Sequence, residues 1–305
     1  MSRVVAVVGP TAAGKSGLGV ELALALGGEV VNADSMQLYR GMDVGTAKLP
    51  AVERRGVPHH LLDVWAVTQA SNVAAYQRLA RETVDELLGR GTTPVLVGGS
   101  GLYVRAVLDR LDFPGTDPQV RAQLEAELAE LGPQVLHARL AQADPDAAAA
   151  ILSRNGRRIV RALEVITLTG RPFTAVMPTH ESIYDVVQIG VDPAPEELDQ
   201  RIDQRVDLMF AQGLVGEVRS LLDAGLRDGP TASRALGYSQ VLRMFDGHID
   251  QDQARGLMAQ ATRRLARRQR SWFYRDPRVH WLPAPNPKAA LHEVRSARNT
   301  GGRPP

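Results

Sequence analysis

The chain has 305 residues, of which 44% are hydrophobic and 23% are charged, with a net charge of +2 and no cysteine. This composition is ordinary for a globular protein and excludes disorder over most of the length. The lack of cysteine excludes disulfide frameworks, thiolate zinc sites and cysteine nucleophiles. Because the apolar run at 4–8 is too short for a signal peptide or a membrane span, we expect a cytoplasmic protein without a membrane segment.

The first hundred residues alternate between strand and helix patterns. Apolar runs predict strands at 4–8, 29–32, 60–64 and 93–97, and helical spacing predicts helices at 16–26 and 72–89. Strands that are apolar on both faces and separated by helices are typical of a doubly wound parallel sheet. We therefore predict an α/β fold, with 1–115 as the first part of its core.

The pattern changes after Pro114. Helices are predicted at 118–131, 133–143, 145–152 and 155–169, without a strand candidate between them. Residues 116–182 are therefore predicted as an all-helical insertion domain. The core resumes over 183–297, with strands at 184–191 and 279–282 and helices at 195–211, 213–224 and 252–274. Residues 298–305 are predicted as a disordered tail.

The segment GPTAAGKS at 9–16 fits the phosphate-loop pattern G-x-x-x-x-G-K-[ST], between a buried strand and a helix. Backbone N–H groups, the helix start and a lysine would attract a diphosphate or triphosphate, and a hydroxyl after the lysine can ligate Mg²⁺. The candidate groups are Gly9, Thr11, Ala12, Ala13, Gly14, Lys15 and Ser16. The alternative is a glycine-rich turn that caps a helix. The pattern nevertheless favours a P-loop NTPase-like core, because the chain holds only three lysines.

Enzymes that act on a γ-phosphate usually carry a second apolar strand ending in an Mg²⁺-directing aspartate. Here the strand at 93–97 is followed by Gly98, Gly99 and Ser100, so the remaining candidates for that aspartate are Asp34 and Asp63. Asp34 closes the strand at 29–32, where the carboxyl ends of parallel strands line a ligand crevice. This position indicates a general base or a substrate hydrogen bond, or alternatively a turn residue that caps the next segment.

Arginine is concentrated in two segments. The first helical cluster contains Arg154, Arg157, Arg158 and Arg161, and the second contains Arg263, Arg264, Arg267, Arg268, Arg270, Arg275 and Arg278. The second cluster has Asp276 as its only acid, so a surface that contacts RNA phosphates is favoured over a merely solvated face. A buried stripe is predicted at Leu257, Ala261, Leu265 and Trp272, and the aromatic residues 272–274 are predicted to be core.

Seven segments in this order resemble bacterial tRNA dimethylallyltransferases, also called isopentenyl-tRNA transferases. They are GPTAAGKS, NADSMQLYRGMDVGTAK, PHHLLD, PVLVGGSGLYVRAVL, RRIVRALEV, RALGYSQ and TRRLARRQRSWFYRD, between residues 4 and 282. The resemblance implies transfer of a dimethylallyl group from dimethylallyl diphosphate to N6 of the adenine 3′ of the tRNA anticodon. It also implies that the phosphate loop and Mg²⁺ hold the leaving diphosphate.

The resemblance implies roles for individual residues. Asp34 would be the catalytic base, Ser100 would keep the hydroxyl of the family's usual threonine, and Arg234 would lie near the diphosphate. The expected tRNA-binding residues are Asp34, Ser35, Met36, Gln37, Ser100, Arg121, Arg157, Arg158, Arg161, Arg263, Arg267 and Arg270. The partner would be the anticodon stem-loop, clasped by the insertion, and we expect a monomer.

Three alternatives stay open on the sequence. The first is a P-loop nucleotide or small-molecule kinase, with Asp34 binding an acceptor hydroxyl. The second is a non-catalytic RNA-binding protein, and the third is a prenyltransferase that acts on free AMP or ADP. His59 and His60 have no partner at metal-ligand spacing, so we interpret them as packing or strand-end residues.

Overall fold

The computed structural model describes residues 3–111, 113–173 and 180–297. The chain divides into two compact units. The first comprises Met1–Leu108 and Ser182–Pro305, and the second comprises Asp109–Glu181. The predicted tail at 298–305 lies outside the described residues.

The first unit is built on a six-stranded parallel sheet. Its strands are β1 (Val4–Val8), β2 (Gly28–Asn32), β3 (His59–His60), β4 (Thr93–Val97), β5 (Val186–Val191) and β6 (Val279–Leu282), in the order β3-β2-β4-β1-β5-β6. Val97 lies opposite both Asn32 and Val7, so three neighbouring strands end together. The predicted α/β fold with a doubly wound parallel sheet is confirmed.

Strand β1 is covered on both faces. Val4, Ala6 and Val8 pack into one hydrophobic cluster, and Val5 and Val7 pack into another, and all five are fully buried. Because successive side chains point to opposite faces of a sheet, a strand covered on both sides needs an unbroken apolar run. This explains why the sequence shows no alternation here.

Eleven helices are found in the described part of the chain. They are α1 (Lys15–Leu26), α2 (Val73–Gly89), α3 (Gly101–Leu108), α4 (Pro118–Ala143), α5 (Pro145–Ala150), α6 (Gly156–Thr169), α7 (Pro195–Ala211), α8 (Leu214–Asp223), α9 (Tyr238–Phe245), α10 (Gln251–Phe273) and α11 (Pro287–Ser296). Side-chain caps fix several starts: the Asn72 side chain accepts from two N–H groups of α2, and Asp250 and Gln253 form a reciprocal capping box on α10. Within the described ranges, none of these helices combines the length and apolar character that crossing a bilayer requires.

The second unit contains α4, α5 and α6. Helix α4 is interrupted at Gly132, whose φ of 81° is non-helical, and Pro133 starts its second half. This matches the two helices predicted at 118–131 and 133–143. Leu124, Leu140 and Ile159 belong to the apolar core of this unit.

Some element predictions are wrong. The strand predicted at 60–64 is only His59–His60, because Leu61 and Asp63 adopt positive φ values of 60° and 58°. Such values are incompatible with extended backbone. Helices α3, α9 and α11 were not predicted; each has at most ten residues, too short for a strong periodic signal.

The predicted buried stripe of α10 is also wrong. The buried residues of this helix are Ala254, Met258, Ala259, Ala266 and Phe273. Leu257, Ala261 and Leu265 are only half-buried, and 41% of Trp272 is exposed. Helix α10 packs against both α7 and α9, so its buried face is set by two neighbours rather than by its own largest side chains. Of the three aromatic residues predicted to be core, only Phe273 is buried.

Candidate active site

The phosphate loop connects the end of β1 to the start of α1. Gly9 has a φ of 132°, and a Cβ there would lie 2.4 Å from the Val191 carbonyl oxygen, so this position requires glycine. The Lys15 ammonium donates to the Pro10 carbonyl oxygen at 2.6 Å. The Thr11 N–H donates to Gln269 Oε1 of α10 at 2.8 Å. The loop is therefore stabilised by one hydrogen bond within it and by another to helix α10, which is distant in sequence.

Two cations and one anion meet beside this loop. Burial and the nearby Arg205 guanidinium lower the pKa of Lys15 to about 8, while Asp34 opposes the shift. Burial also lowers the pKa of Arg205, and Asp34 again opposes it. Arg205, on α7, donates to the Thr11 hydroxyl at 3.5 Å. Two partly desolvated cations facing one carboxylate leave an unbalanced positive charge, which favours binding of a polyanion.

The first cavity, with a volume of about 60 Å³, lies at this loop. Lys15, Ser16 and Asp34 line it together with Gly98 and Gly99. Ser16 and Asp34 offer oxygen atoms, which are the ligands Mg²⁺ prefers. In the described ranges there is no group of three His, Asp or Glu side chains arranged as a metal site. A bound Mg²⁺ would therefore take most of its ligands from phosphate oxygens and water.

Asp34 follows β2 and is fixed by its neighbours. Its N–H donates to Asn32 Oδ1 at 2.9 Å, and its Oδ1 accepts from the Met36 N–H at 2.9 Å. Asn32 and Asp34 thus each form an Asx-type turn, and the predicted turn role accounts for one of the two carboxylate oxygens of Asp34. The second carboxylate oxygen, Oδ2, has no hydrogen-bond partner within residues 3–111, 113–173 and 180–297.

A second cavity, of about 380 Å³, is also lined by Asp34. Ser35, Met36, Ser100, Arg234 and Arg268 are among its lining residues. Six residues line both cavities: Thr11, Asp34, Thr46, Ala47, Arg205 and Gln269. Asp34 thus lines both the cavity at the phosphate loop and the larger one.

Ser35 and Ser100 are joined across this second cavity. Ser100 Oγ accepts from the Ser35 N–H at 3.3 Å and donates to Ser35 Oγ at the same distance. Arg234 is exposed and lines the second cavity but not the first. Arg234 therefore lines the same cavity as Ser100 and Asp34.

The arginines predicted in the second unit fall into two groups. Arg121 and Arg161 both form ion pairs with the fully buried Glu164. Burial alone would raise the pKa of Glu164, but hydrogen bonds from these two arginines lower it. Arg157 and Arg158 are exposed on the first turn of α6. Arg121 and Arg161 thus neutralise a buried charge, while Arg157 and Arg158 face solvent.

The arginines predicted on α10 have acidic partners on another element. Arg263 pairs with Asp203, Arg267 pairs with Asp199 at 3.3 Å, and Arg270 pairs with Asp192 at 2.8 Å. Arg264, Arg268 and Arg275 are exposed, and no ion pair is found for them among the described residues. The acids missing from the local sequence are supplied by α7 and by the residue that follows β5.

Sequence reasoning missed Arg205 and Gln269 as site residues. Arg205 lies in QRIDQRVD, which looks like an ordinary charged helix face, and Gln269 lies inside the arginine run. Both reach the phosphate loop only because α7 packs against α10. Nothing local in the sequence marks that contact.

Comparisons with known proteins identify the family of this chain. The sequence model of the family described as IPP transferase matches residues 37–276. A tRNA dimethylallyltransferase of Streptomyces avermitilis is 69% identical over 280 residues, covering 92% of this chain and 90% of that protein. One of Thermobifida fusca is 67% identical, covering 93% of this chain and 90% of that protein.

Solved structures show the same fold. A tRNA isopentenylpyrophosphate transferase of Bacillus halodurans superposes with a TM-score of 0.72 at 39% identity, covering 98% of this chain and 99% of that one. A eukaryotic dimethylallyltransferase acting on tRNA superposes with a TM-score of 0.82, covering 98% of this chain and 78% of that one. Its identity of 24% supports the fold alone. The chain therefore belongs to the IPP transferase family.

Proposed function

We propose that this chain transfers a dimethylallyl group from dimethylallyl diphosphate to N6 of the adenine 3′ of the anticodon in tRNA. The observation that carries the proposal is that Asp34 lines both the cationic cavity at the phosphate loop and a larger cavity. The relatives at 67–69% identity are named tRNA dimethylallyltransferases, which supports transfer of a dimethylallyl group to tRNA.

The proposed reaction is a displacement at the first carbon of the allylic group. The bond from this carbon to the diphosphate oxygen breaks, and a bond to the adenine N6 forms. Asp34 accepts one N6 proton, which compensates for the poor nucleophilicity of an amino group conjugated with the ring. The oxygen leaves with the bonding electrons, and its charge is stabilised by Lys15, Arg205 and the N–H groups of the loop.

The residues present fit the Mg²⁺ that this reaction implies. The Ser16 hydroxyl follows Lys15 at the start of α1 and would hold the ion together with diphosphate oxygens. When bound, Mg²⁺ supplies additional neutralisation of the leaving group. We assign the diphosphate to 9–16, as the phosphate-loop pattern predicts, and add Arg205 to that set.

The adenine would occupy the second cavity, after leaving its stack in the anticodon loop. Ser35, Met36, Ser100 and Arg234 would contact it or its flanking nucleotides, with Gln37 at the border of the first cavity. The backbone of the tRNA would lie on the exposed arginines of α6 and α10. Because one chain carries all these groups, a monomer is sufficient.

The kinase alternative has less support. A kinase of this fold needs an aspartate that directs Mg²⁺ near the phosphate loop, but β4 is followed by two glycines and a serine. Asp63, the other candidate, pairs with the buried Lys48 at 2.6 Å. Asp34 then remains as the only one of the two candidates that lines the first cavity.

A transfer assay tests the proposal. The protein is incubated with labelled dimethylallyl diphosphate and unmodified tRNA, with and without ATP. We expect label in the tRNA whether or not ATP is present. Asp34→Asn should lower the single-turnover rate by about 10²–10⁴-fold, the usual contribution of a general base, while tRNA affinity stays unchanged.

Asp223→Asn, an exposed position on α8, makes the same charge change away from both cavities and should react normally. A near-normal rate for Asp34→Asn would refute the base assignment. Phosphate transfer from ATP with no label in tRNA would establish the kinase instead.

A further inference from the structure

A single carboxylate accepts several hydrogen bonds from the loop at 43–47, which borders both cavities. Glu217, in the first turn of α8, accepts hydrogen bonds from three successive backbone N–H groups: Asp43 at 3.0 Å, Val44 at 2.6 Å and Gly45 at 3.1 Å. It also accepts from the Tyr238 hydroxyl at 2.5 Å. Successive N–H groups of this kind form a concave anion-binding site, and here the anion is a side chain of the same protein.

The fourth donor lies in the core. Tyr238 is fully buried at the start of α9, and burial together with the Glu217 charge raises its pKa, so its hydroxyl stays protonated as a donor. A Cβ on Gly45 would lie 2.6 Å from the Tyr238 ring, so only glycine allows the loop to approach this closely. The 43–45 backbone is therefore pinned against a rigid aromatic residue.

The same loop presents two carbonyl groups to Gln37. Gln37 Nε2 donates to the carbonyl oxygens of Thr46 at 3.1 Å and Ala47 at 3.4 Å. Because carbonyl oxygens only accept, the nitrogen must face the loop, and the amide cannot be flipped. Oε1 is thereby fixed as the atom that can accept from a substrate N–H group. Gln37 lines the first cavity, and Thr46 and Ala47 line both.

We propose that Glu217 is a positioning residue, which holds the 43–47 loop so that Gln37 presents its carboxamide oxygen to the tRNA substrate. This inference rests on the proposed function, because it assumes that Gln37 contacts the tRNA substrate. The phosphate loop is held separately, by Lys15 to Pro10 and by Thr11 to Gln269. The effect of Glu217 therefore falls on tRNA and not on the prenyl diphosphate.

A double-mutant cycle with Gln37 tests the proposal. Glu217→Ala should lower kcat/KM for tRNA by about 10- to 100-fold, as expected for a displacement of about 1 Å, and should leave KM for dimethylallyl diphosphate unchanged. Gln37→Ala should lower kcat/KM for tRNA to a similar degree. The double variant should be no worse than Gln37→Ala alone within about twofold, because the two residues act through one contact.

Matched controls separate positioning from general stabilisation. Asp223→Ala removes an exposed carboxylate from the same helix and should behave like the unmodified protein. Glu217→Asp withdraws the carboxylate but can still accept, so it should recover part of the lost kcat/KM. If Glu217→Ala does not fold, the cycle is run with Glu217→Gln, which keeps the side-chain length.

Two outcomes would overturn the inference while leaving the proposed function intact. One is a double variant whose loss equals the product of the two single losses. The other is an equal rise in KM for the prenyl diphosphate. If the unmodified protein transfers no label to tRNA, the proposed function itself fails.

Discussion

The ammonium of Lys15 loses its proton at a lower pH than an ordinary lysine does. Burial and Arg205 lower its pKa to about 8, and Asp34 only partly opposes them. A diphosphate bound beside it favours the charged form and raises the pKa again. When Lys15 is neutral in the free protein, binding of the diphosphate therefore takes up a proton. The affinity for the diphosphate falls as the pH rises above about 8.

This gives a pH prediction for the first substrate. The Kd of dimethylallyl diphosphate, measured by calorimetry without tRNA, should be constant up to about pH 8 and then rise by at most about tenfold per pH unit, the limit for one linked proton. Lys15→Arg should remove the rise, because a guanidinium stays charged over this range. The same rise in Lys15→Arg would assign the titration to another group.

At the residue scale, the sequence is informative where a function is local. The phosphate loop and the candidate base Asp34 each follow a strand that the sequence predicts, so their neighbours along the chain identify them. Arg205 and Gln269 reach the loop from helices about 190 and 260 residues away in sequence, through a helix pair that no local pattern encodes. Glu217 is hidden for the same reason, since its three backbone partners are distant in sequence.

At the scale of elements, continuous apolar runs were the most reliable signal. Strands β1, β4 and β6 have the predicted limits. Strands β1 and β4 are buried along their whole length, and β6 is short and well bounded. The predicted buried face of α10 is wrong, because contacts with α7 and α9 determine which of its residues are buried. Those contacts also bring acids to arginines that look unpaired in the sequence.

The two sets of arginines on α10 and just beyond its end should behave differently towards tRNA. Arg264, Arg268 and Arg275 are unpaired in the described structure, so their replacement with Ala should flatten the dependence of log Kd on log salt by about one unit per lost phosphate contact. Arg263, Arg267 and Arg270 stay in the proposed surface, but each must first release a carboxylate. Their replacement should weaken binding with a smaller change in salt slope.

Thermal melting supplies the control for this comparison. Removing the three ion pairs should lower the melting temperature, since the two exposed pairs contribute up to about 1 kcal/mol each and loss of Arg270 leaves the buried Asp192 carboxylate without its guanidinium. The unpaired set should melt normally. An unchanged salt slope in both triple variants would show that this face of α10 is only solvated.

At the scale of the whole molecule, the second unit is inserted between two neighbouring points of the first. The Leu108 carbonyl oxygen accepts from the Ile183 N–H at 2.8 Å, so the chain leaves the first unit and returns to it at one place. The second unit has its own apolar core around Leu124, Leu140 and Ile159. The sequence predicts its helices from their caps and prolines, because those signals are local.

Replacing 109–181 with a short glycine linker should therefore separate the two proposed binding tasks. All the groups proposed to bind the diphosphate lie in the first unit, so the shortened protein should bind dimethylallyl diphosphate within about twofold of the full chain. Its affinity for tRNA should fall by at least about tenfold, because the exposed arginines of α6 are lost. Arg157→Ala with Arg158→Ala in the full chain should reproduce part of that loss.

Normal tRNA affinity in the shortened protein would contradict the proposed role of the insertion. Loss of diphosphate binding in a shortened protein that folds normally would show that the first unit does not suffice for diphosphate binding.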